Sequence, residues 1–358
     1  MRLLPGDPAP LFEARTGGTA NFPFHAAAGR PIVLSFLGSL QNPLAAKATH
    51  DILDRYRAWF DDKQACFFGV SADPTDERRN LLRDEMPGVR FIRDFDYRIS
   101  RLYGTIGPSD GGKSKYQMVT IVLDSMLRLS ASIPIDDIVR HNIDLESAIA
   151  QVKNALHFYA APVLVLPGVF DEELCEQLVA LHQADGGRSS GVMEDIGDYT
   201  VETNDARSKK RRDLMITDPA LQLKLSDRIG QRLVPPILQC FQFRVTRFER
   251  FLVGCYDAME TGFFKAHRDN VTRGTAHRRL ALTVQLNDDY DGGELVFPEF
   301  GSTTYRGGVG SAVVFSCSMM HEVLPVRRGK RFAFLPFLHD DAAEQIRLQN
   351  HKYIVSNH

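Results

Sequence analysis

The chain has 358 residues, 44% of them apolar and 25% charged, which is the balance of an ordinary globular protein long enough for roughly two or three domains. Its net charge of −2 gives no global attraction to nucleic acid or to an anionic membrane surface. Five cysteines, an odd number with no C-x-x-C pair, argue against a disulfide framework or a zinc knuckle and fit a reducing cytoplasm. The opening residues lack a signal-type apolar core, and no run approaches the ~18 apolar residues of a membrane span. The expectation is a cytoplasmic protein with no nucleic-acid partner and no membrane partner.

The first half alternates strand and helix patterns. Residues 31–37 (PIVLSFL) form a short apolar run, read as a buried strand. Residues 45–60 have helical spacing, with Ile52, Leu53, Tyr56 and Phe60 on one side. A second strand is predicted over 64–71. A helix over 73–85 follows, with Asp73 as N-cap and Pro74 as first helical residue. Residues 89–94 read as a strand, and 97–104 as a helix ended by Gly104. Residues 117–124 and 127–133 read as a hairpin, and 145–159 as a closing helix. This alternation predicts a mostly parallel sheet covered on both faces.

The pattern changes near residue 159. Two helices are predicted, each opened by an aspartate cap: Asp171, and Asp218 followed by Pro219. From Arg244 onward short strands and tight turns dominate, as in DDYDGGEL at 288–295, which predicts a barrel or sandwich. Within 206–213, ARSKKRRD, five of the six positions 207–212 are basic. A solvated loop and a mobile lid that attracts an acidic substrate or cosubstrate are both open readings.

The chemistry lies in this second half. In FFKAHRDN, His267 and Asp269 are two apart, so on a strand both side chains face the same way. His321 ends another predicted strand, SAVVFS leading to MMHEV. Two imidazoles and one carboxylate form the facial set of non-haem Fe(II) oxygenases, which leaves positions open for ligands; zinc also accepts this set but favours four-coordination. Arg331 opens the next apolar strand, and a charge at the mouth of a buried strand needs a partner. His277 and His339 each neighbour charged residues and are expected to be solvated, as are Arg327 and Arg328.

Taken in order, Y…GFFKAHRD, LTVQLNDDYDGGELVFP and GSAVVFS…HEVLPVRRGKR resemble the 2-oxoglutarate-dependent Fe(II) dioxygenases of the prolyl 4-hydroxylase type, over roughly residues 160–340. The resemblance implies a double-stranded β-helix (jelly roll) with flanking helices. It implies Fe(II) held by His267, Asp269 and His321, and 2-oxoglutarate with its distal carboxylate on Arg331. Tyr256 is expected to line the cosubstrate pocket, with Thr283 or Gln285 contributing from the next strand. A guanidinium suits that carboxylate because its planar fork donates two parallel hydrogen bonds. The implied reaction consumes O2 and hydroxylates an unactivated C–H bond of a prolyl residue, an amino acid or another small metabolite, releasing succinate and CO2, with ascorbate as reductant. An aspartate at 269, rather than glycine or alanine, favours hydroxylation over halogenation. A sensor or scaffold module that binds iron and 2-oxoglutarate without turnover is the alternative.

Residues 1–158 resemble a peroxiredoxin, a thioredoxin-like fold, through PGDPAPLFEA, PIVLSFLGSLQNP and FFGVSADP. The peroxidatic cysteine is missing: Gln41 and Asn42 stand in its neighbourhood, and Gln117 and Met118 stand where the family's arginine is expected. Without a thiolate there is no nucleophile for peroxide. Cys66, inside an apolar strand, is expected to be buried and inert. The predicted fold class is therefore α/β plus all-β: a thioredoxin-like domain over 1–158, a dioxygenase domain over 159–342 and a tail over 343–358. The first domain is expected to act as scaffold, as recruiter of a small-molecule or peptidyl substrate, or as a homodimerisation surface.

Overall fold

The computed structural model describes residues 3–107, 115–155 and 160–355. The chain divides into two compact units, residues 1–159 with 298–301, and residues 160–297 with 302–358. The predicted end of one helix at 156–159, and the domain boundary placed there, lie outside the described residues.

The first unit has a thioredoxin-like fold. Its central strand, Ile32–Gly38, pairs in parallel with Cys66–Ser71, which pairs in parallel with Val89–Arg93. On its other side it pairs antiparallel with Val119–Leu123, which continues antiparallel to Leu129–Pro134. The sheet is thus mixed rather than mostly parallel, with two parallel and two antiparallel pairings; the short connection between the last two strands allows only antiparallel pairing there. One face carries the helices Pro43–Tyr56 and Ile138–Ala155, whose Ala45, Ala48, Ile52, Leu145 and Ile149 pack with Val33, Phe67 and Val122. Aromatic contacts cover the other, with Phe12 stacked on Phe24, Phe24 against Phe68, and Phe36 against Tyr103.

Three helices differ in their bounds from the sequence reading. The helix predicted over 45–60 spans Pro43–Tyr56, so Phe60 lies beyond its end. The helix predicted over 73–85 spans only Pro74–Arg78, capped by Asp73; Asn80 then takes a left-handed backbone (φ 55°), which stops it. The helix predicted from 145 begins at Ile138, seven residues earlier, after Asp137 accepts hydrogen bonds from the backbone amides of Val139 and Arg140.

Where a peroxidatic thiol is expected, Asn42 caps the helix Pro43–Tyr56 by accepting from the Leu44 amide. Cys66 is buried and its thiol lies 3.1 Å from the Asp62 carboxylate, which Arg90 clamps through both oxygens. Burial pushes the Cys66 pKa up to about 12, so it stays a thiol.

The second unit is a double-stranded β-helix. Its larger sheet runs in space from Arg247–Glu249 through Phe337–His339, Leu280–Gln285, Lys330–Phe334 and Leu252–Asp257 to Arg212–Met215 and Arg188–Ser189. The smaller one runs from Lys209–Lys210 through Phe263–His267, His321–Val323 and Leu295–Val296 to Thr304–Tyr305. Helices Glu172–Asp185 and Pro219–Arg232, capped by Asp171 and Asp218, press Leu174, Leu178, Leu225 and Ile229 against Val253, Leu282, Val284 and Phe334 of the larger sheet. Alternation along the strands then leaves Gly254, Tyr256, Thr283, Gln285, Arg331 and Ala333 on the face away from those helices. The predicted tail, 343–358, supplies most of the helix Asp341–Asn350 and the strand Ile354–Val355, which pairs in parallel with Tyr199–Thr203. Among the described residues no helix is long and apolar enough to cross a membrane.

Candidate metal centre

His267 ends the strand Phe263–His267 and stands directly opposite His321 in the antiparallel pairing with His321–Val323. Their rings are 4.2 Å apart. Asp269 follows just past the strand end, held by its amide donating to the Cys317 carbonyl at 3.0 Å and by Arg278 donating to its own carbonyl at 3.4 Å. Its two carboxylate oxygens lie 3.5 Å from His267 Nε2 and 3.3 Å from His321 Nε2. One ligand atom from each of the three residues falls within 4.8 Å of the other two.

The protonation states suit a divalent cation. His267 Nδ1 sits 2.7 Å from the Lys265 carbonyl, and His321 Nδ1 3.0 Å from the Met319 carbonyl. A carbonyl only accepts, so each Nδ1 carries the hydrogen and each Nε2 presents a lone pair to the centre. Burial, followed by the neighbouring His267, lowers the His321 pKa to about 4, so it is neutral at pH 7. Burial opposes ionisation of Asp269, but His321, His267 and Arg278 outweigh it and hold the carboxyl well below its usual range. Two imidazoles and a carboxylate converge, which is the donor set Fe(II) accepts. Phe264 stacks on His267 with ring centroids 3.5 Å apart, and Phe315 meets the edge of His321 at 4.6 Å, shielding both ligands.

Arg331 lies opposite Tyr256 in the pairing of Lys330–Phe334 with Leu252–Asp257. It is 3% exposed, its guanidinium carbon is 5.2 Å from the Tyr256 ring centroid, and its Nη1 is buried with no hydrogen-bond partner among the described residues. A Cβ at Gly293 (φ 69°) would come within 2.9 Å of Arg331 Cδ, so that glycine leaves room for the side chain. Tyr256 is fully buried, and its hydroxyl accepts from Arg211 Nη1 at 3.3 Å. Gln285 donates to the Asn287 carbonyl and to the Tyr290 hydroxyl. Its amide nitrogen is thus committed to fixing Tyr290. Thr283 is half-buried on the same face of that strand, opposite Val313.

Three sequence expectations are corrected. His277 and His339 are buried, not solvated: each meets a carboxylate, Glu249 at 2.6 Å and Glu344 at 2.9 Å. The basic stretch is not a solvated loop. Lys209–Lys210 pairs with Phe263–Phe264, and period-two alternation turns Lys209 and Arg211 inward. Lys209 donates to Ser190 Oγ and the Gly191 carbonyl at 2.6 and 2.8 Å, while Arg211 forks onto Asp213 at 2.5 and 2.7 Å. Arg327 and Arg328 are exposed as expected, on a short strand, Val326–Arg328. Sequence reasoning missed Arg211, Tyr290 and Arg278. The alternating positions 209, 211 and 213 were the one available signal for Arg211.

Residues 251–339 match the model of the 2OG-Fe(II) oxygenase superfamily. A PKHD-type hydroxylase of Shewanella sp. (strain ANA-3) is 30% identical over 187 residues, covering 49% of this chain and 77% of that protein. The chain belongs to this oxygenase superfamily. A PKHD-type hydroxylase of Pseudomonas putida is 26% identical over 190 residues, 48% of this chain and 75% of the relative. Among solved structures, a Trichoplax adhaerens prolyl hydroxylase in complex with a peptide fragment of the hypoxia inducible factor oxygen degradation domain is 16% identical, with TM-score 0.39 over 59% of this chain and 94% of that one. The Xanthomonas campestris bacterioferritin comigratory protein is 18% identical, with TM-score 0.34 over 39% of this chain and 92% of that one. The protein is thus a 2-oxoglutarate-dependent Fe(II) dioxygenase, an enzyme that uses O2 and hydroxylates its substrate.

Proposed function

We propose that this oxygenase hydroxylates an unactivated C–H bond of a prolyl residue, an amino acid or another small metabolite, at a centre held by His267, Asp269 and His321. The observation that carries the assignment is a buried guanidinium, Arg331, with an unpartnered Nη1, in the same β-helix as three convergent metal donors. Fe(II) bound there, with 2-oxoglutarate and O2, supplies the oxidising power for hydroxylation with release of succinate and CO2.

The chain's own residues bind, orient and exclude water. The carbonyls of Lys265 and Met319 fix both imidazole tautomers, so Nε2 faces the cation. Arg331 receives the distal carboxylate of 2-oxoglutarate, which gives its orphaned donor a charge-assisted partner. Tyr256 walls that pocket, fixed through its hydroxyl by Arg211. Gln285 acts by fixing Tyr290 rather than by reaching the cosubstrate. Ascorbate serves as external reductant. The first unit, with no thiol at the nucleophile position, serves as scaffold and homodimerisation surface; light scattering of the full chain tests the latter.

The reaction is tested by incubating wild type and His267→Ala with prolyl peptides and free amino acids under isotopically labelled O2. The proposal expects one label atom in a product made by wild type alone. Label in products of both proteins refutes the assignment of His267.

A further inference from the structure

Among the described residues of the β-helix unit, two guanidinium groups have a buried nitrogen that lacks a hydrogen-bond partner, Arg331 and Arg250. The cosubstrate accounts for the first. We infer that Arg250 is the docking point for a carboxylate on the substrate. The inference rests on the oxygenase reading above and narrows it, from any prolyl or small-molecule substrate to one bearing a free carboxylate.

Arg250 occupies the turn between the strands Arg247–Glu249 and Leu252–Asp257. Its neighbours show what a satisfied arginine looks like in this wall. Arg278 grips Glu249, and Arg211 grips Asp213. Among the described residues Arg250 has no such carboxylate, and its Nε has no hydrogen-bond acceptor. What it touches is an aromatic ring: its guanidinium carbon lies 4.5 Å from the centroid of Phe337. Arg278 lies 4.0 Å from the same ring and donates to the Asp269 carbonyl, so one ring and one guanidinium connect Arg250 to the metal centre.

The backbone points the same way. Arg250 takes a left-handed conformation (φ 52°), which side-chain-bearing residues rarely adopt and which recurs at ligand clamps. Lys209, Arg211 and Arg278 add positive charge around it, while the carboxylates of Asp213 and Glu249 are already engaged; Glu202, near Lys209, accepts from the Gly191 amide. Burial, then Arg278 and Arg211, depress the Arg250 pKa to about 10, so it remains charged at neutral pH in a place that penalises its charge. A bound carboxylate relieves that penalty, and the planar fork suits a carboxylate through two parallel hydrogen bonds. An internal residue of a polypeptide carries no backbone carboxylate to offer. A free amino acid or other small acid does.

The test uses the full chain loaded with Mn(II) and saturating 2-oxoglutarate, so that Arg331 is occupied. Propionate and L-proline are each compared with their amides, and binding is read from relaxation of the ligand protons by Mn(II). The expected result is at least a tenfold preference for a carboxylate over its amide. Arg250→Gln should lose that preference, and Arg250→Lys should keep part of it. No preference in wild type, or an undiminished one in Arg250→Gln, overturns the inference. Failure of Mn(II) to bind, seen beforehand in its resonance spectrum, instead removes the oxygenase reading and this inference with it. An unchanged Mn(II)·2-oxoglutarate spectrum in Arg250→Gln shows that the variant is folded.

Discussion

Replacing Arg331 by methionine separates cosubstrate recognition from folding. Arg331 is 3% exposed and its Nη1 has no partner among the described residues, so in the absence of 2-oxoglutarate a buried donor is left unsatisfied. Removing it should leave the unliganded protein's melting temperature unchanged or higher, because an apolar side chain of similar length costs nothing to bury there. Binding should respond in the opposite direction. Removing one partner of a buried, hydrogen-bonded charge pair costs about 2–5 kcal/mol. At about 1.4 kcal/mol per tenfold, the 2-oxoglutarate Kd should rise roughly thirty- to several-thousand-fold. The assay is anaerobic titration of the Fe(II)–2-oxoglutarate charge-transfer absorption, with metal affinity measured separately and expected to be unchanged. A Kd within ~threefold of wild type would show that the carboxylate docks elsewhere.

Other consequences follow from the same geometry. His267→Ala should abolish turnover and the thermal shift given by Mn(II), which at a hundredfold excess over Kd is worth about 2.7 kcal/mol in wild type; calorimetry reads both proteins. Asp213→Asn strands the buried Arg211 charge and should cost about 3–5 kcal/mol in urea unfolding. Asp213 also sets a pH dependence. Burial opposes its ionisation, but Arg211 outweighs it and pulls the pKa from 3.8 to about 2. The folded value lies below the unfolded one, so the stabilisation is complete above pH 4 and disappears as the pH falls towards 2. Its size is about 2 kcal/mol, read as the difference between wild-type and Asp213→Asn unfolding at pH 6 and at pH 2.5. Cys66, buried with its pKa at about 12, should resist iodoacetamide in the native protein while the exposed Cys240 reacts, as peptide mapping would show.

Much of the site was legible because its parts lie in strands, where period two converts spacing into direction. His267 ends its strand as read, whereas Asp269 lies just past that strand's end and is brought beside His267 by its amide bond to the Cys317 carbonyl; His321 opens a strand of its own, and Arg331 lies near the start of Lys330–Phe334. What the sequence hid depends on long-range pairing. Nothing near His277 reveals that Glu249, twenty-eight positions away, will bury it, nor that Glu344 will do so for His339. The basic run reads as surface by composition, and only pairing with Phe263–Phe264 turns Lys209 and Arg211 inward. Gln285, expected as a cosubstrate contact, donates instead to the Tyr290 hydroxyl, a pairing that depends on a turn five residues on. Arg250 was invisible for the same reason: its lack of a partner is a property of the folded wall. In the first unit, the cap signal at Asp73 located a helix start, whereas the start at Pro43, capped by Asn42, was not read, and the end of the helix beginning at Pro74 is set by a left-handed residue that composition does not announce.

The most direct test of the account is succinate formation from 2-oxoglutarate by the purified full chain with Fe(II), ascorbate and air, without added substrate, beside His267→Ala. The account predicts slow succinate release by wild type and none by the variant. Equal succinate from both, or none from wild type together with no charge-transfer absorption on anaerobic addition of Fe(II) and 2-oxoglutarate, would contradict a working centre at His267, Asp269 and His321.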